Sequence, residues 1–177
     1  MSYLKINNTT TINYVDPQMS QIHIKDIARG LAKECRYNGH CAGFYSVAQH
    51  SVIGAEELLA SHDKYFALEF LLHDATEAYM KDLPRTLKEL LPQYQALETL
   101  LDKQIRCRFG LPAEMSEIVA YMDQRMLATE MRDLRGDTRE EIEQWSNYAE
   151  PLSQELHGWD PAYAEGAFMS LFTRLTV

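Results

Sequence analysis

LLHDATEAYMKDLP, residues 71–84, places His73, Asp74, Glu77 and Asp82 inside a run that is otherwise apolar enough to be core. On a helix, His73 and Glu77 stand four apart and Asp74 and Glu77 three apart, so these side chains converge on one side of the cylinder. Leu71, Leu72, Ala75 and Ala78 around them predict burial. Carboxylates buried beside an imidazole are costly unless something neutralises them, and a divalent cation does so. The periodicity predicts one continuous helix from about Asp63 to Met80. Leu83-Pro84 ends it, since proline disfavours helical geometry in the residue before it.

Working outward, Ser46 is placed to cap a preceding helix on which Val47, His50, Ser51 and Gly54 share one face. His50 thus occupies a position where packing alone predicts an apolar residue. The stretch RYNGHCAGFY, residues 36–45, has two glycines and no helical period and reads as a loop. Further upstream, Asp16-Pro17 is expected to open the first helix, with Ile24, Ile27 and Leu31 at spacings of three and four. Residues 1–15 are polar and β-branched and suit an extended arm. Downstream, Pro92 opens a helix striped by Leu97, Leu100, Leu101 and Ile105 and stopped at Gly110. The next follows Pro112 and carries Ile118, Val119, Met122, Met126 and Leu134 before Gly136, with Asp123 set into its apolar stripe. The last begins at Asp160-Pro161 and buries Phe168, Leu171, Phe172 and Leu175. No two alternating runs flank a hairpin turn, and no glycine-rich phosphate loop occurs, so the expected architecture is all-α, a single helical domain over residues 1–177.

The composition agrees. The chain has 177 residues, 46% hydrophobic and 24% charged, which suits one domain with an ordinary core. Asp and Glu number 26 against 17 Lys and Arg, a formal charge of -9, which disfavours a grip on long nucleic acid. Cys35, Cys41 and Cys107 lack the paired spacing of a zinc knuckle and read as reduced thiols of a cytosolic protein. The apolar segment from Phe66 to Leu72 is short and broken by Glu69, so neither a membrane span nor a signal peptide is expected.

His50, His73, Asp74 and Asp123 together supply two imidazoles and two carboxylates. Mixed nitrogen and oxygen donors suit Zn²⁺, Mn²⁺, Fe²⁺, Co²⁺ or Ni²⁺ rather than Ca²⁺. Water on the open positions of such an ion is acidified toward neutrality, and Glu77 and Asp82 are spaced to manage protons or to hold a second divalent ion.

The ordered set AQHS (48–51), HDATE (73–77), Asp82 and a distant Asp123 resembles the H…HD…D signature of the HD-domain metal-dependent phosphohydrolases, here with H-D-x-x-E-x-x-x-x-D. RYNGHCAGFYSVAQHS and LLHDATEAYMKDLPRTLK are most similar to the small phage and bacterial members related to 5'-deoxynucleotidases and to the phage dATP triphosphohydrolase. The resemblance covers about residues 27–135. It implies an HD-domain helical bundle in which His50, His73, Asp74 and Asp123 hold the metal. Glu77 would then be the catalytic acid or base, or a ligand of the second ion, with Asp82 in the same centre. Arg36 matches the substrate-side arginine, and Arg85 and Lys88 become phosphate cations. The implied activity is hydrolysis of a small nucleotide, foremost a deoxynucleoside triphosphate such as dATP, by metal-activated hydroxide attacking the α-phosphorus to give deoxynucleoside and triphosphate. A homo-oligomer in the cytoplasm, the host's if the chain is phage-encoded, is implied as well.

Each residue has a blander reading. Arg85 and Lys88 also suit a helix end, where the macrodipole favours cations. Tyr37, Phe44 and Tyr45 either stack a nucleobase or plug the core. His40 lies near Arg36 and is the remaining histidine placed to touch substrate, while Glu130, seven positions after Asp123, is expected to pair with an arginine. Two other functions stay open: a 5'-deoxynucleotidase acting on monophosphates, and a non-catalytic, metal-containing, nucleotide-binding regulatory domain. A cyclic-dinucleotide phosphodiesterase would carry a G-Y-P loop, which this sequence lacks.

Overall fold

The structure, a computed structural model, describes residues 2–177. Its N-terminal arm is extended, as the β-branched run predicts, but it doubles back on itself. Tyr3–Lys5 (β1) pairs antiparallel with Thr11–Asn13 (β2), Leu4 facing Ile12, and Ile12 is fully buried. The wholly helical expectation is corrected to that extent. The reversal is made by Asn7, whose side-chain oxygen accepts from the backbone N–H of Thr9 and of Thr10, each at 2.9 Å. Such an Asx turn leaves only polar residues in the sequence, and strands of three residues are too short to show alternation.

The rest is mostly helical. Helix α1 is Ile24–Lys33, burying Ile27, Ala28, Leu31 and Ala32. It starts later than Asp16-Pro17 suggested, because Gln18 and Gln21 cap each other around a separate 3-10 turn, Met19–Gln21. Helix α2, Val47–Ser61, begins where expected: Ser46 Oγ accepts from Gln49 N at 3.1 Å. After α3 (Lys64–Leu72) come the short α4 (Glu77–Met80) and α5 (Arg85–Lys88), then α6 (Pro92–Phe109) and α7 (Glu117–Glu130). A π turn, Met131–Arg135, extends α7 and stops at Gly136, which is left-handed. Helix α8 is Arg139–Trp145, and α9 is Pro161–Thr176, whose cap Asp160 accepts from Ala162 N at 2.8 Å. On α6, Leu101 and Ile105 are buried as predicted, whereas Leu100 faces outward. On α9, Phe168, Leu171 and Leu175 are buried and Phe172 is half-buried against Phe109.

The continuous helix expected from Asp63 to Met80 is broken at residues 73–76. The Phe70 carbonyl is taken by His73 twice, by its backbone N–H at 3.3 Å and by its ring Nδ1 at 2.6 Å. The following bonds span three residues: Ala75 N to Leu72 O at 3.1 Å and Glu77 N to Asp74 O at 3.0 Å. A side chain that competes for the helical carbonyl tightens the turn, and a turn of three residues keeps Asp74 and Glu77 in line.

Helix α2 packs along α3, α9 lies across α1, α2 and α3, and α7 meets both α2 and α3. Gly54 permits the closest of these approaches. A Cβ there would lie 2.2 Å from the Phe70 ring, which itself is fully buried. Among the described residues no helix is long and apolar enough to cross a membrane. Gly54→Ala is expected to destabilise the fold by about 1–3 kcal/mol through overpacking. A thermal melt should show a midpoint lower by several degrees, and an unchanged midpoint would contradict the close approach.

Candidate metal centre

Three helical segments converge on one point. His50, from the first turn of α2, has no exposed surface, and its Nδ1 lies 2.6 Å from Glu130 Oε1 at the end of α7. His73 sits in the tightened turn, its Nδ1 bound to the Phe70 carbonyl. Each imidazole therefore has its Nδ1 occupied and presents Nε2, and the two Nε2 atoms stand 3.4 Å apart. Asp74 Oδ2 is 3.3 Å from His73 Nε2 and 3.8 Å from His50 Nε2. From α7, Asp123 Oδ1 approaches to 3.3 Å from His50 Nε2 and 3.7 Å from His73 Nε2.

His50, His73 and Asp74 offer donor atoms within 4.8 Å of one another and could hold a metal ion. The spacing fits: two nitrogens bound at 2.0–2.1 Å to one tetrahedral ion stand roughly 3.4 Å apart. The charge balance fits too. Burial and Arg36 push the His50 imidazole down, yet Glu130 and Asp123 outweigh them and hold it up at about 9. Burial likewise opposes charge on His73, but Asp74 and Asp123 raise it. The Asp123 carboxyl, despite its own burial, is kept well below the usual carboxylate range by the two imidazoles. Protons on the imidazoles thus supply the positive charge that this acidic cluster demands, and a cation would take their place.

Two of the donors, Asp74 and Asp123, line a cavity of about 590 Å³, while the imidazoles sit behind them. Glu77 is nearly buried, and its Oε2 has no hydrogen-bond partner among the described residues. Burial, reinforced by Asp74 and Asp82, raises its carboxyl well above the normal range. Burial also raises Asp82, against the pull of Arg36. Arg36, Tyr37, His40, Arg85 and Lys88 all line the same cavity. Of these, Lys88 is tied to Glu98 at 2.8 Å, and Arg36 reaches Asp74 at 3.5 Å and Glu130 at 3.0 Å. Of the two readings open for Tyr45, the core plug holds, since it is fully buried. Phe44 is absent from the cavity wall.

Glu130 does more than the expected pairing with an arginine. With no exposed surface, it accepts from Arg36 Nε, from the Tyr37 hydroxyl at 2.5 Å and from His50. Its position two helical turns beyond Asp123 was the available signal, but only the fold shows that it orients a candidate ligand. Arg135 and Trp145 also line the cavity and had no motif to mark them.

Comparison with known proteins gives 46% identity over 134 residues to the uncharacterized protein YfdR of Escherichia coli strain K12, covering 76% of this chain and 73% of YfdR. The chain belongs to the YfdR family. An uncharacterized protein of Rhodobacter capsulatus is 38% identical over 109 residues, 58% of this chain and 55% of its own length. No family model matches the chain. In this YfdR-family member, a metal bound by His50 must displace that imidazole's proton, so its apparent affinity should climb by about tenfold per pH unit for that proton. The climb should level off as pH passes about 9, where His50 loses its proton unaided. Competition titration against a chromogenic chelator measures this. Glu130→Gln should weaken metal binding by about 10- to 100-fold; unaltered affinity would show that Glu130 does not orient His50.

Proposed function

We propose that this chain is an HD-domain phosphohydrolase that uses a divalent metal to cleave a small nucleotide, with deoxynucleoside triphosphates, dATP first among them, as substrates. The observation that carries the reading is the meeting of His50, His73, Asp74 and Asp123, whose two carboxylates line a cavity that Arg36, Arg85 and Lys88 line as well. Cations lining the same cavity as carboxylates suit a ligand that is anionic itself and bridges to a metal.

In this reading His50, His73, Asp74 and Asp123 would hold the ion, which would supply acidified water and Lewis acidity there. Arg36, fixed by Glu130, and Arg85 and Lys88 on the wall neutralise charge gathering on those oxygens. Glu77 is the proton donor to the leaving 5'-oxygen. Burial and its carboxylate neighbours favour its protonated form, and the residue lines the cavity that would hold the substrate. Asp82 holds Glu77 in that state by like-charge repulsion. Attack at the α-phosphorus consumes one water and releases deoxynucleoside and triphosphate. A non-catalytic regulatory domain would have no use for a buried acid without a partner beside its metal. One observation favours a shorter substrate: Lys88, though on the cavity wall, is already engaged by Glu98 at 2.8 Å, leaving fewer unpaired cations for β and γ phosphates. A monophosphatase would use the same atoms.

Metal-loaded protein incubated with each dNTP, NTP and dNMP is expected to yield nucleoside and triphosphate from dNTPs. Inorganic phosphate from monophosphates would shift the assignment to a 5'-deoxynucleotidase, and absence of turnover with every metal and substrate would overturn hydrolysis. Glu77→Gln should lower kcat by about 10²- to 10⁴-fold with metal content retained. Asp74→Ala should lose both, as read by elemental analysis beside the assay.

A further inference from the structure

The nucleotide reading leaves one question of substrate recognition, which side chain receives the base, and the aromatic that the sequence put nearest the site is not free to do it. Tyr37 donates its hydroxyl to Glu130, and its ring already carries two guanidiniums, Arg36 at 5.5 Å and Arg135 at 5.3 Å from the centroid. Tyr45 is sealed in the core. Trp145 is different. It ends α8, lines the same cavity as Asp74, Glu77 and Asp123, and leaves 53% of its surface exposed.

The local chain is built to hold it there. Thr138 and Glu141 cap α8 reciprocally at its start. Just past Trp145, Asn147 and Tyr148 both adopt positive φ, 52° and 60°, and turn the chain sharply away. Consecutive non-glycine residues in that region carry strain of about 1–3 kcal/mol each and persist where surrounding structure enforces them. Tyr37 and Asn38, which also line the cavity, have the same pair of left-handed conformations, φ 57° and 51°. Leu83, Pro84 and Leu127 add apolar wall beside the charged side chains.

We propose that Trp145 is the platform on which the substrate's nucleobase stacks while the phosphates reach the carboxylates, an assignment that rests on the phosphohydrolase reading above. A broad, exposed indole in a cavity of about 590 Å³ offers a sequence-tolerant π-face.

The chain has two tryptophans, and Trp159 lies at a separate groove between α2 and α9. Trp159→Phe therefore leaves Trp145 as the sole indole reporter in the full chain. In that background, dAMP and dATP should quench its fluorescence, while inorganic phosphate and tripolyphosphate should not. Trp145→Ala should raise KM for the hydrolysed nucleotide by roughly ten- to a hundredfold. Inhibition by tripolyphosphate should stay within about twofold, and Trp145→Phe should recover most of the loss. Turnover with unchanged KM, or an equal weakening of tripolyphosphate, would overturn the platform and leave hydrolysis standing. Quenching by nucleotides without turnover would keep the platform and remove hydrolysis, and the absence of both would bring down both.

Discussion

A carboxylate with no access to solvent holds the centre together. Glu130 takes a hydrogen bond from each of three groups, His50, Arg36 and Tyr37, which reach it from α2 and from the loop ahead of that helix. A buried charge of this kind is tolerable only while its partners are in place; removing one from such a set commonly costs about 3–5 kcal/mol. The same bonds that neutralise Glu130 fix the His50 ring so that Nε2 faces His73, and they hold Arg36 over Asp74. Burial thereby converts an electrostatic liability into orientation.

The broken helix makes the other half of the site. Had residues 63–80 formed one regular α-helix, the Phe70 carbonyl would serve the backbone of Asp74. Instead His73 claims it with its ring, which points the second imidazole nitrogen inward. Gly54 lets Phe70 press against α2, so the distance between the two histidine-bearing elements is set by core packing, with the His50 and Phe70 rings 5.5 Å apart. Chemistry and packing thus share the same few residues.

Much of this was legible in the residues. His50 and Asp123 stood out because each is polar where packing predicts an apolar residue, and His73 and Asp74 because they interrupt an apolar helix; the four side chains lie close together. Ser46, Gly110, Gly136 and Asp160 marked helix ends through local hydrogen bonding and left-handed geometry, which need no tertiary context. Other features escaped. The β1–β2 hairpin is too short for alternation to register, and α8 has no fully buried residue to reveal it by periodicity. Leu100 fitted the α6 stripe but lies on the side of that helix which no neighbour covers fully.

Periodicity and capping are properties of neighbours along the chain, so helical character, most helix boundaries and the four candidate donors could be read from residue order alone. Glu130's triple role, the committed state of Tyr37 and the place of Trp145 on the cavity wall join residues about 90 positions apart or on different elements. Which partner a buried charge finds, and which aromatic is left uncovered, depends on how helices pack against one another, and that is settled only when the core closes.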